Sequence, residues 1–397
     1  MDHTRLRSLD ALRGLTILVM IFVNDLAGVH GVPGWMKHYS PHLGDGMTFV
    51  DVVFPAFLFI VGMSIPLSVG RRLDRGEPLL SVARHVLGRT ASLLIIGVLM
   101  VNAESMPDGA YVKPELWGLL MYVGVFLVWG GAPRKWSTRA ALALRIAGVA
   151  LLVVLALLYT LHTQWWGILG LIGWAYLVAC GVYLGLRKSL AAVVGTIPLL
   201  YCVFVADAAG FFATWWISGW VKVGSMLGSH AAVVVSGLAL GMVLAPGSAV
   251  RGPAHRLRWA LLYALVLGAS AHLLHSAAAI HPMFIVNKIL ATPPWCLWSS
   301  AITSAVWALL YWLIDVRGWG SPATALGPAG QNPLTAYVLA PVFDYALALF
   351  SDATGLPNVY GDLGARFSTG LLRSALFAVF VVWLTGRLRR LGVQLAL

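Results

Sequence analysis

The residues able to do chemistry gather where apolar stretches end. Asn24 and Asp25 close one such stretch, and Asp51 lies one turn into the next. Between them run His30, His38, His42 and Asp45, and farther along Asp207, His272, His275 and Asp344 interrupt apolar sequence. An ionisable group in such surroundings is costly and is a functional candidate by default. Imidazole titrates near pH 6.5, so it can take a proton from an amine or can itself become acylated. An amide such as Asn24 can donate to an oxyanion, while Asp45 or Asp51 can orient an imidazole or bind an ammonium group. Plainer readings stand beside these. Asp25 and Asp45 can be solvated charges at a loop, and Asp207 and Asp344 can serve structural hydrogen bonds or a proton relay. His272 and His275 share a helix face. Lacking an HExxH motif or a carboxylate partner, they suit interhelical hydrogen bonds better than a metal, and no metal site is expected.

Helices must carry these groups, because little else is encoded. Apolar residues make up 59% of the 397 and charged ones 11%, with a mean hydropathy of +0.84. So little charge with so much apolar surface excludes a disordered chain and argues against a soluble enzyme. A crossing helix needs roughly 20 apolar residues. Twelve candidates lie at 9–29, 47–69, 82–102, 116–131, 140–160, 167–186, 189–212, 229–246, 258–279, 295–315, 332–350 and 367–387. The fourth is short, so the expectation is an all-α polytopic membrane protein of ten to twelve spans, a single domain over 1–397. With the N-terminus in the cytoplasm and twelve crossings, only Lys37, Lys113, Lys222, Lys288, Arg366 and Arg373 of the 27 basic residues fall outside. The positive-inside rule expects such a bias and puts both termini in the cytoplasm. The N-terminal stretch mimics a signal peptide but lacks a clear small-x-small cleavage site, and it is read as the first span.

The net charge of +12 therefore reports mostly orientation. No basic helix with interleaved aromatics and no zinc-finger spacing occurs, so no nucleic-acid partner is expected. Cys180, Cys202 and Cys296 lie in apolar spans without CxxC spacing and read as buried small hydrophobes. On the cytoplasmic side Arg5, Arg7, Arg13, Arg71 and Arg72 crowd the ends of the first two spans. Guanidinium groups bind phosphate bidentately, and Asn332 opens a helix whose N-terminus can also receive an anion. Topology alone is the competing explanation of the cluster. Neither GxxxxGK nor a strand-borne GxGxxG is present, so a soluble-type nucleotide site is not encoded.

Four blocks carry a resemblance. RLRSLDALRGLTILVMIFVND (5–25), MTFVDVVFPAFLFIVGMSI (47–65), NKILATPPWCLWSS (287–300) and GQNPLTAYVLAP (330–341) occur in the order seen in the heparan-α-glucosaminide N-acetyltransferase family. The chain resembles that transmembrane acyltransferase family, and within it the bacterial NagX-like branch. The resemblance implies transfer of an acetyl group from cytosolic acetyl-CoA to a glucosamine amine across the membrane. The family's reactive histidine sits in a Lys-His-x-Ser setting, here Lys37-His38-Tyr39-Ser40, and its helix-end asparagine is Asn24. Asp25, Asp45, Asp51, Asn287, Lys288 and Asp344 are assigned to the acceptor, and Arg5, Arg7, Arg13, Arg71, Arg72 and Asn332 to acetyl-CoA. The stretch from Asn24 to His38 is longer than in animal members, so His30 and His42 compete with His38, and Asp45-Gly46 stands where the family often has Asn-Gly.

A bacterial cytoplasmic-membrane location, the bilayer as environment, and a homodimer follow as expectations of the resemblance. Two mechanisms stand open: His38 as general base, or His38 as acetyl carrier. The alternative function is a secondary transporter for an amino sugar or similar small polar solute, since twelve spans with intramembrane carboxylates suit it too. Its expected internal repeat is not visible. A non-catalytic scaffold would leave the intramembrane charges unexplained.

Overall fold

The computed structural model describes residues 6–39, 41–106, 112–131, 137–159, 161–165 and 167–395. Its regular elements are helices. Ten of these are long and apolar enough to cross a membrane, which makes the chain a multi-pass membrane protein. Two further helices coincide with expected spans but fall short of that description. α1 (Arg7–Leu26) carries Arg7, Asp10, Arg13 and Asp25 within its 20 residues, and α4 (Pro114–Trp129) has only 16.

The remaining long helices are α2 (Phe49–Ile65), α3 (Leu79–Glu104), α5 (Thr138–Leu158), α6 (Ile168–Leu186), α7 (Leu190–Ala208), α8 (His230–Leu244), α9 (Pro253–His275) and α10 (Pro293–Leu310). The shorter α11 (Ser321–Gln331) then precedes α12 (Pro333–Thr354) and α13 (Phe367–Arg390). α2 runs past its expected end through a π turn at Pro66–Gly70 to Asp74. Pro66 lacks the N–H of an ordinary turn, which favours the wider winding. A second π turn, Val223–Ser229, leads into α8.

The chain divides into two compact units, one of Met1–Leu12, Pro33–Leu94 and Leu171–Ala323, the other of Arg13–Val32, Ile95–Gly170 and Thr324–Leu397. The first is built around α8, of which every residue except Met242 is buried. A helix apolar all round belongs at the centre of a bundle. α2 approaches it through glycine: a Cβ on Gly62 would lie 1.8 Å from the Val234 carbonyl oxygen, and one on Gly237 1.8 Å from that of Phe59. Small residues at both contacts let the two backbones meet, the usual device where lipid supplies no hydrophobic drive between helices. The N-terminus of α1 is also fixed in this unit, because the Asp315 carboxylate accepts from the Ser8 N–H at 3.1 Å, a favourable place for a negative charge.

In the second unit Trp117 donates its indole N–H to the Leu155 carbonyl at 3.1 Å, joining α4 to α5. Asn102 and the His162 backbone exchange two hydrogen bonds of 2.8 and 2.9 Å. The tail of the chain is tied down as well: Gly131 N–H donates to Gln394 O at 2.9 Å, and Leu395 N–H to Thr335 Oγ1 at 2.8 Å. Of the cysteines, Cys180 and Cys296 are buried, whereas Cys202 is exposed on α7 and corrects the expectation for it. Apolar composition makes a side chain compatible with lipid as well as with a core.

The glycine contact gives a prediction. Gly237→Ala should destabilise the protein in detergent by about 1–3 kcal/mol through overpacking, read as a lower Tm. Gly181→Ala, which meets nothing within 4 Å, should leave Tm unchanged or raise it slightly.

Candidate active site

The site starts at a helix cap. Thr48 ends the loop before α2 with its hydroxyl oxygen accepting from Val50 N–H, and Asp51 three residues on reaches back to the Thr48 N–H at 2.9 Å. This reciprocal capping box needs a short hydroxyl and an acid three apart, which the sequence supplies. The Thr48 hydroxyl has one hydrogen, and its shortest acceptor is the Lys37 carbonyl at 2.7 Å.

Asp51 does more than cap. It is fully buried, and its Oδ2 also accepts from Tyr39 N–H at 3.0 Å. Its Oδ1 lies 2.8 Å from His38 Nδ1. A carboxylate accepts only, so the imidazole donates through Nδ1 and leaves Nε2 with a lone pair, the arrangement of an oriented base or nucleophile. The His38 side chain keeps 45% of its surface exposed, so the ring is anchored on one edge and accessible on the other.

A second loop, from the end of α9 to the start of α10, is laced onto this one. Asn287 is buried, and its Nδ2 donates toward the carbonyls of Pro41, His42 and Gly44 at 3.4, 3.0 and 2.9 Å. Its Oδ1 accepts from Leu290 N–H at 2.9 Å. Gly46 N–H donates to Val286 O, and Val286 N–H to Asp45 Oδ1, each at 2.8 Å. Asp45 Oδ2 takes a further bond from His275 Nε2 at 2.7 Å. Burial acts to raise the Asp45 carboxyl, but the bonds from His275 and Val286 outweigh it and hold it below the usual range. Ala291 adopts a left-handed backbone, φ 52°, a strained choice for a residue with a Cβ and a mark of how tightly this loop turns.

The loop delivers Lys288 to the histidine. Its Nζ lies 2.9 Å from His38 Nδ1, 3.3 Å from Nε2 and 3.8 Å from Asp51 Oδ1. Burial pulls the Lys288 amine below its ordinary range, partly offset by the Asp51 charge. Nδ1 cannot both donate to Asp51 and accept from Lys288, so with Nδ1 protonated the ammonium is left to bond Nε2.

His38, Asp45, Asp51, Asn287 and Lys288 thus share one unit, although the sequence separates the first three from the last two by more than 230 residues. Of the competing histidines, His42 is exposed and offers Asn287 its carbonyl, while His30 is exposed in the other unit and donates its N–H to Gly364 O at 2.9 Å. Ser40 lies outside the described residues. His275 bonds a carboxylate, and no group of three or more metal-ligating side chains occurs among the described residues.

Asn24, Asp25 and Asp344 belong to the second unit. Asn24 is exposed on the last turn of α1. Asp25 is nearly buried and engaged: Arg373 reaches Oδ2 at 3.0 and 3.2 Å, Tyr360 donates to Oδ1 at 2.6 Å, and Ser374 donates to Oδ2. The Arg373 guanidinium also stacks 4.5 Å over the Tyr360 ring. Neither a solvated charge nor a vacant acceptor site, Asp25 is a structural ion pair. Asp344 is exposed on α12.

The residues assigned to acetyl-CoA divide likewise. Arg7, Arg71 and Arg72 are in the first unit and Arg13 and Asn332 in the second, while Arg5 lies outside the described residues. Arg71 bonds the Leu67 carbonyl of its own helix, and Arg72 pairs with Glu77 at 3.0 Å. Arg13 donates to Gly330 O at 3.0 Å, beside the start of α12. There Asn332 is buried, with its side-chain N–H group unpartnered among the described residues.

A multi-pass helical membrane protein with a carboxylate-oriented histidine is the class these features define. Residues 5–221 match the family described as a domain of unknown function, DUF5009, and the chain belongs to that family. It is also similar to heparan-alpha-glucosaminide N-acetyltransferase of Mus musculus, 37% identical over 122 residues, and of Homo sapiens, 35% identical over 122 residues. Each match covers 30% of this chain and 18% of the relative, so the chain matches less than a fifth of the length of those proteins.

Two outcomes test this geometry. Asn287→Ala leaves the loop carbonyls without their donor and should cost about 1–3 kcal/mol of stability, read by thermal unfolding in detergent. The depressed Asp45 carboxyl contributes stability above its unfolded value, about 3.9, which is lost as pH falls through the folded value. The Tm difference between wild type and Asp45→Asn should therefore shrink on acidification below about pH 4.

Proposed function

We propose that this chain is a membrane-embedded acyltransferase of the bacterial NagX-like branch. It would take an acetyl group from acetyl-CoA on the cytoplasmic side and deliver it to a glucosamine-type amine on the opposite side. One observation carries the reading: the reactive histidine expected from the resemblance, His38, is the one held by a buried carboxylate at 2.8 Å.

In this reading Asp51 fixes the His38 tautomer and favours the imidazolium that forms when Nε2 takes a proton. Acting as base, His38 removes the amine's proton as the amine attacks the thioester. Acting as carrier, Nε2 accepts the acetyl group and then yields it to the amine. Asn24, the helix-end asparagine of the resemblance, keeps an exposed amide that can donate to an oxyanion. Asp45 and Lys288 line the acceptor side. Arg13 and the buried Asn332, whose side-chain N–H group is unpartnered among the described residues, suit a phosphate of CoA at a helix start. The whole chain acts as one catalytic domain in a bacterial cytoplasmic membrane, with both termini in the cytoplasm and the chain paired as a homodimer.

The test is CoA release by purified protein given acetyl-CoA and glucosamine. His38→Ala should abolish turnover, and Asp51→Asn should lower kcat by at least about 10²-fold. Undiminished turnover in His38→Ala would overturn the catalytic assignment. Uptake of unmodified amino sugar into vesicles without CoA release would favour secondary transport instead.

A further inference from the structure

The position of Lys288 goes beyond acceptor binding. We propose that Lys288 is a catalytic residue, whose ammonium donates to the carbonyl oxygen of the acyl group as negative charge develops there. The inference rests on the acyl-transfer reading above and deepens it.

Three observations support it. The Nζ lies 3.3 Å from His38 Nε2, the nitrogen left with a lone pair when Nδ1 serves Asp51. An acyl carbon bonded to Nε2, or the thioester carbon attacked by an amine hydrogen-bonded to Nε2, would bring its carbonyl oxygen within about 3 Å of that ammonium, where an oxyanion donor must be. The ammonium is also fixed beforehand. It is tethered through Asn287, whose side chain makes bonds to both loops, and it faces the Asp51 carboxylate at 3.8 Å. A donor already in place needs no reorganisation as charge develops. Finally, the Lys288 side chain retains 26% exposure, against 45% for His38, so its charge is less screened than a surface lysine's.

The step balances as follows. The attacking nitrogen bonds to the thioester carbon while the C=O π pair moves onto oxygen, where Lys288 donates its hydrogen bond without losing its proton. Return of that pair breaks the C–S bond and releases CoA thiolate. The proton that the amine loses ends on that thiolate, by way of Nε2 in the base route.

The experiment compares wild type, Lys288→Met, Lys288→Gln and Lys288→Arg in detergent, measuring kcat and the KM for acetyl-CoA from CoA release. The expected result is a kcat lowered about 10²–10³-fold in the Met and Gln variants, with KM for acetyl-CoA within about twofold. Lys288→Arg should recover kcat in part. If the Met variant loses its thermal transition, the Gln variant carries the same readings. A kcat within tenfold of wild type, or a KM for acetyl-CoA that rises in step with the loss of kcat/KM, overturns the role of Lys288 while leaving acyl transfer standing. Absence of acetyl-CoA turnover in the wild type removes both.

Discussion

A buried carboxylate at the start of a membrane helix governs the first unit. An unpaired ionised group in an apolar interior costs several kcal/mol, so it persists only where donors surround it. Asp51 meets this requirement with the Thr48 and Tyr39 N–H groups on one oxygen and the His38 ring on the other. Those donors lie within 13 residues of it. The need to satisfy one charge therefore fixes the start of α2, the path of the preceding loop and the orientation of an imidazole. The same carboxylate that stabilises the helix also sets the orientation of the histidine ring.

Structural and chemical demands coincide again in the second loop. Val286 and Asn287 tie residues 285–292 to the His38 loop through backbone groups that would otherwise be unsatisfied. Lys288 arrives beside His38 as a consequence. Beneath these loops the glycine contact between α2 and α8 lets the helices pack without side chains between them. A rigid base of this kind suits a site that must hold donors within a few tenths of an ångström.

The second unit solves the same problem without leaving an accessible group. Asp25 is saturated by Arg373, Tyr360 and Ser374, which ties the end of α1 to α13 and the segment before it. Two aspartates, each near the end of an apolar stretch in the sequence, therefore differ in what they offer. One presents a half-exposed imidazole, and the other is closed by a guanidinium. Removing either partner of a buried pair leaves an uncompensated charge, so Asp25 and Arg373 are expected to be needed for folding whatever the chemistry.

Much of this was legible in the sequence alone. Apolar runs of about 20 residues determine membrane helices, because no other secondary structure satisfies every backbone group within one segment in lipid. The spacing of Thr48 and Asp51 encodes a cap, since both partners lie within one turn. The acids and histidines stood out because charge is scarce. What the sequence left open was pairing over distance. His30, His38 and His42 are equivalent by type and position until Asp51 takes one of them. Asp25 and Asp51 look alike until Arg373 arrives from nearly 350 residues away. Asn287 and Lys288 showed only as part of a resembling block, and tertiary packing carried them to His38. Local backbone geometry reaches only a few residues. Which carboxylate meets which cation is set by how the helices stack, and that is decided by the summed packing of side chains remote in sequence.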